Sequence, residues 1–193
     1  MRVALSRLTV TALFAWSLTA VGQTVDVEGV KFEPAVLVGG QTLQLNGTGV
    51  RTRAVFKVYA AGLYVPQKST DARALVAQKG PRRITMALLR DVSADSFSEA
   101  LNDGLKANNS DADLAALQSQ IDALNASLKA VGAVKKGDTV LFEFVPDTGT
   151  RIVVNGQPRG ASIPGEPFFA AVLRIWIGDK PVDNGLKKGL VGG

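Results

Sequence analysis

The sequence has 193 residues, a formal charge of +5 and 46% hydrophobic residues, enough for one domain with a substantial core. It holds no cysteine and no histidine. That composition excludes disulfides, imidazole metal sites and Ser-His or Cys-His nucleophilic machinery.

Residues 1–22 read as a secretory signal peptide. Arg2 and Arg7 give a positive start, Leu8 to Leu18 is an apolar run too short to span a bilayer, and Ala20-Val21-Gly22 supplies small residues for cleavage. Cutting after Gly22 leaves a single domain, residues 23–193, expected in the periplasm. Loss of the two arginines lowers the charge from +5 to +3. The excess is spread along the chain and points neither to nucleic acid nor to a membrane surface, and no stable membrane insertion is expected once the leader is gone.

Val25 to Phe32 alternates loosely and stops before Pro34. Ala35 to Val38, a Gly39-Gly40 turn and Thr42 to Leu45 predict a hairpin. Gly47 and Gly49 read as a turn that delivers Arg51 into a β segment ending at Pro66. Alternation puts Phe56, Val58, Ala60, Gly62 and Tyr64 on one face of that segment and Val55, Lys57, Tyr59, Ala61 and Leu63 on the other. Both faces are mainly apolar, as in a central strand covered on both sides.

Ser69 or Thr70 is the expected cap of a short helix with Asp71 in its first turn, ending at Gly80-Pro81. Arg83 to Leu89 reads as a strand. Ser93 caps a helix whose apolar stripe is Phe97, Ala100, Leu101, Gly104 and Leu105. After Asn108-Asn109-Ser110, steps of three and four from Leu114 to Val131 predict one longer helix from near Asp111 that packs on a sheet. Val140 to Phe144 and Arg151 to Val154 are strands, and Asn155-Gly156 pairs the second with Arg159 to Ile163. Phe168 to Ile177 and Val182 to Leu190 close the chain as helices. The pattern is α+β, an antiparallel sheet of six or seven strands with helices gathered on one face.

Several of these segments, in order, resemble the chalcone isomerase superfamily. Val25 to Val36 looks like its first hairpin, Gly47-Thr48-Gly49-Val50-Arg51 is similar to its Gly-x-Gly-x-Arg segment, Ala60 to Tyr64 matches the following strand, and Phe168 to Gly178 looks like its C-terminal helix. The resemblance covers roughly residues 24 to 190. It implies an open-faced β-sandwich of chalcone isomerase type with a ligand cleft between sheet and helices. It also implies that Arg51 is the substrate-binding arginine. The family's strand threonine falls on Tyr59, its helix tyrosine on Phe97, its asparagine on Gly104 and its second threonine on Ile175. Phe97 and Ile175 can neither donate to an oxyanion nor hold a water, so efficient chalcone cyclisation is not expected.

What the resemblance leaves is an arginine and a phenol at an apolar cleft, similar to the fatty-acid-binding branch of the superfamily. On that reading the ligand is a small amphipathic carboxylic acid, held by Arg51 and Tyr59, with Phe97, Leu101, Ile175 and Phe56 along its tail. An isomerase or intramolecular lyase using Arg51 as electrophile and Tyr59 as proton donor is the alternative. A partner-binding scaffold with a collapsed cleft is the third. Arg51 also reads as a surface arginine bonding loop carbonyls, and Tyr59 as a core tyrosine. Asp91, Asp95, Asp111 and Asp113 lack calcium-loop spacing and sit at helix starts, and Gly47-x-Gly49 is no dinucleotide fingerprint. No metal or cofactor is expected.

Overall fold

A computed structural model describes residues 23–193; the expected signal peptide lies outside the described residues. Seven strands form one antiparallel sheet in sequence order: β3 (Ala35–Val38), β4 (Gln41–Arg53), β5 (Phe56–Val65), β6 (Arg82–Leu88), β7 (Thr139–Val145), β8 (Gly149–Val154) and β9 (Gln157–Ile163). A separate hairpin of β1 (Val25–Val27) and β2 (Val30–Phe32) adds a two-stranded sheet. Neighbouring strands are joined by tight turns wherever no helix intervenes. Asn155 and Gly156 take φ of 50° and 79°, as a two-residue hairpin turn requires.

The sheet separates two apolar layers. On one side Tyr59, Leu63, Ile84, Phe142 and Ile152 pack under helices α2 (Ala94–Asn108), α4 (Gln118–Val131) and α5 (Glu166–Ile177). On the other, Ala60 and Tyr64 join Phe32, Val38, Leu43 and Leu45 in a smaller layer beside the β1–β2 hairpin. β5 is therefore covered on both faces. Helix α5 is the centre of the larger layer, with eight buried residues from Phe168 to Ile177.

Four local features depart from the sequence pattern. Gly47 and Gly49 are not a turn but interior residues of β4, where α6 (Asn184–Leu190) lies on the sheet. A Cβ at Gly47 would stand 2.1 Å from the Gly189 carbonyl oxygen, and one at Gly189 would stand 2.2 Å from that of Thr48. Only glycine permits that approach. A register shift between Arg51 and Thr52 then breaks the alternation of β5. Phe56 and Val58 consequently turn to the helix side with Tyr59, away from Ala60 and Tyr64.

The cap of α1 (Ala72–Ala77) is Asp71, whose carboxylate accepts from the Arg73 amide at 2.8 Å; Ser69 Oγ instead accepts from the Asp71 amide. The predicted long helix is two, α3 (Asp111–Ala116) and α4, broken at Leu117. Its amide is shared between the Asp113 and Leu114 carbonyls, a tightened turn that resets the helix direction.

Candidate functional site

Arg51 and Tyr59 stand directly opposite each other on β4 and β5, so both side chains leave the sheet on its helix face. Gly47, Gly49 and Arg51 alternate along that face. The two glycines seat α6, and the arginine is the next residue beyond the helix start. Asp183 caps α6, one carboxylate oxygen accepting from the Leu186 amide and the other from the Thr52 amide at 2.9 Å. The helix is thereby tied to the strand beside Arg51.

The Tyr59 hydroxyl accepts a hydrogen bond from Trp176 Nε1 at 2.9 Å. Burial pushes the phenol up to about 12, although the Arg51 charge and the Trp176 bond pull the other way. Tyr59 is thus a neutral hydrogen-bonding group at any physiological pH. The Arg51 guanidinium carbon lies 5.7 Å from the Tyr59 ring centroid. Arg51 Nε is buried and has no hydrogen-bond partner. Among the described residues Arg51 makes no ion pair. A buried donor left unmatched costs about 1–3 kcal/mol.

Arg51, Tyr59, Phe97, Leu101 and Ile175 surround one cavity together with Met86. That cavity measures about 20 Å³, room for a single water and far below the roughly 300 Å³ at which ligand pockets begin. The expected tail pocket is closed. Ile175 fills it, its Cγ2 standing 2.6 Å from where a Gly104 Cβ would be. The positions on which the resemblance puts the family's asparagine and second threonine are here a bare glycine, Gly104, and the isoleucine packed on it, Ile175.

Arg51 is instead reached from outside by two open clefts. One of about 360 Å³ runs past Phe56, Val58, Arg90 and Ala100, and one of about 340 Å³ passes Ser96, Glu99, Asp103 and Lys180. Phe56 therefore belongs to the outer cleft, not to an inner tail pocket. Trp176 and Met86 are additions to the site. A buried Tyr59 demands a hydroxyl partner, but nothing in the spacing says that Trp176 supplies it.

A larger cleft of about 660 Å³ lies elsewhere, between α1 and α5. Its buried arginine, Arg82, is spent on structure: it donates to the carbonyls of Gly80 and Val76 and to the Glu166 carboxylate. Burial lowers the Arg82 pKa, against the charge of Glu166. Among the described residues no group of acidic side chains has the arrangement of a metal site.

No curated protein matches the chain. Among solved structures it is similar to a fatty-acid binding protein of Arabidopsis thaliana, at 16% identity and a TM-score of 0.64, covering 88% of this chain and 96% of that one. The likeness is one of fold. The chalcone isomerase-like family matches residues 24–192, nearly the whole described chain. With the seven-stranded sheet, the helical layer and an arginine in the Gly-x-Gly-x-Arg segment of β4, the chain belongs to the chalcone isomerase-like family.

Proposed function

We propose that this protein binds a small amphipathic carboxylic acid, with the head group on Arg51 and the tail in the outer cleft against Phe56 and Val58. One observation carries the reading: a guanidinium with a buried, unpartnered Nε and, among the described residues, no ion pair, at the meeting point of two open clefts. A carboxylate is the partner whose geometry fits a guanidinium fork. The Arabidopsis neighbour is a fatty-acid binding protein, which agrees with that ligand class. Binding is favoured over turnover because Phe97 and Ile175, which line the inner cavity, offer no polar group to a reacting substrate.

Titration calorimetry with decanoate and an aryl carboxylate tests it. Arg51→Ala should weaken binding by about 2 kcal/mol, some thirtyfold, the low end for truncating one partner of a charge pair because the outer cleft is open. Arg51→Lys should restore part of the loss, since an ammonium cannot fork onto a carboxylate. Equal affinity of Arg51→Ala and wild type would make Arg51 structural. No binding by the wild type to either acid would leave the collapsed-cleft scaffold standing.

A further inference from the structure

The turn between β4 and β5 has an apolar tip that no described residue covers. Residues 52–57 are all exposed, Val55 at 84% and Phe56 at 57%. A two-residue turn with positive φ favours Asn-Gly or Asp-Gly. The β8–β9 turn obeys that rule with Asn155-Gly156, but here Ala54 holds φ at 54° and a β-branched valine follows. Neither turn chemistry nor burial accounts for Ala-Val-Phe at this point.

Cations ring the tip. Arg53 and Arg90 make no ion pair among the described residues, and Lys57 stands behind them, paired with Glu28. The Arg90 guanidinium carbon lies 4.7 Å from the Phe56 ring centroid, so positive charge borders the apolar surface. In the sequence these cations lie as far apart as Arg53 and Arg90; the fold gathers them.

We infer that the β4–β5 tip docks on an anionic lipid membrane surface. Val55 and Phe56 enter the boundary between head groups and acyl chains, while Arg53 and Arg90 meet lipid phosphates. A lipid surface suits the tip better than an acidic protein does. Two side chains on a convex turn fall far short of the roughly 1,000 Å² that a stable protein interface buries, whereas a bilayer asks for no complementary shape. No described helix is long and apolar enough to cross a membrane, so the contact is peripheral. This inference rests on the acid-binding reading in one respect. Phe56 and Arg90 also wall the outer cleft at Arg51, so docking opens that cleft toward the phase where an amphipathic acid concentrates.

The test is cosedimentation of the purified domain, residues 23–193, with vesicles of phosphatidylcholine alone or containing phosphatidylglycerol, at low and high salt. The wild type should bind the anionic vesicles at least tenfold more strongly, and less so as salt rises. The V55S/F56S double variant, altered only at exposed side chains, should melt as the wild type does and lose at least tenfold of the binding. The R53Q/R90Q variant should lose the salt dependence. Absence of wild-type binding overturns the inference, as does undiminished binding by V55S/F56S, which would mean that any cationic face suffices. Soluble polyglutamate serves as a protein-like control; tip-dependent binding to it as strong as to vesicles would assign the tip to an acidic protein instead. Acid binding is titrated without lipid, so its failure alone leaves tip-dependent docking intact and sinks only the ligand.

Discussion

At the scale of the residue, the closed inner cavity comes down to one contact. Gly104 on α2 and Ile175 on α5 fit because the glycine has no Cβ; one built there would press on Ile175 Cγ2 at 2.6 Å. The two should therefore be coupled. Ile175→Ala alone removes a fully buried side chain and should cost about 2–5 kcal/mol. Gly104→Ala alone gains about 1 kcal/mol of helix propensity but meets overpacking of about 1–3 kcal/mol, leaving a small net loss. Combined, the added methyl occupies part of the vacated space, so the double variant should be more stable than additivity allows by about 1–2 kcal/mol. Denaturant unfolding of the four proteins measures that coupling, and additivity within about 0.5 kcal/mol would dissolve the contact. Sequence spacing placed Gly104 on the inward stripe of its helix, but no spacing rule pairs it with a residue seventy positions away.

At the scale of the element, α6 and β4 explain why glycines precede Arg51. The helix rests on Gly47 and Gly49, with Gly189 as its own bare contact point, and its cap Asp183 holds the Thr52 amide. Gly47→Ala would press its methyl against the α6 backbone, at about 1–3 kcal/mol, which lowers the melting temperature by roughly 2–12 °C for a domain of this size. Because α6 is tied to the strand end that carries Arg51, the same variant should also weaken acid binding. A melting curve that matches the wild type would mean that the helix sits farther off the strand. Most elements were legible because each announces itself within a few residues: alternation in β7, the serine cap of α2, the asparagine–glycine turn of β8 and β9. The failures share a different cause. Glycines seating a helix from the far end of the chain look like a turn when only their neighbours are read. A one-residue bulge at Val58, between the Arg51–Tyr59 and Thr52–Lys57 pairs, moves Phe56 and Val58 to the other face, and periodicity counts straight through it.

At the scale of the whole molecule, the sheet keeps two apolar layers apart, and each layer holds one of the chain's two tyrosines. Tyr59 lies in the helix-side layer and Tyr64 in the layer beside the β1–β2 hairpin. Burial is the leading cause that pushes both phenols up to about 12, with Arg51 opposing it at Tyr59 and Arg83 at Tyr64. An unfolded chain ionises its tyrosines near pH 10, while the folded chain keeps them protonated to about 12. Each tyrosine's contribution is therefore complete below pH 10 and lost as pH rises from 10 to 12. For Tyr59 the loss amounts to about 3 kcal/mol once both states are past their transitions, at roughly 1.4 kcal/mol per unit. Absorbance at 295 nm, which reports phenolate, should stay flat through pH 10 to 11 and then rise for both tyrosines together as the protein unfolds. Tyr59→Phe and Tyr64→Phe should each remove half of that rise and flatten the alkaline loss of stability. Half the amplitude appearing near pH 10 would show that one layer admits water, and the phenylalanine variant that abolishes this early half identifies which. If the Tyr64 half came early, the small layer under the β1–β2 hairpin would not be the closed second core that covers β5.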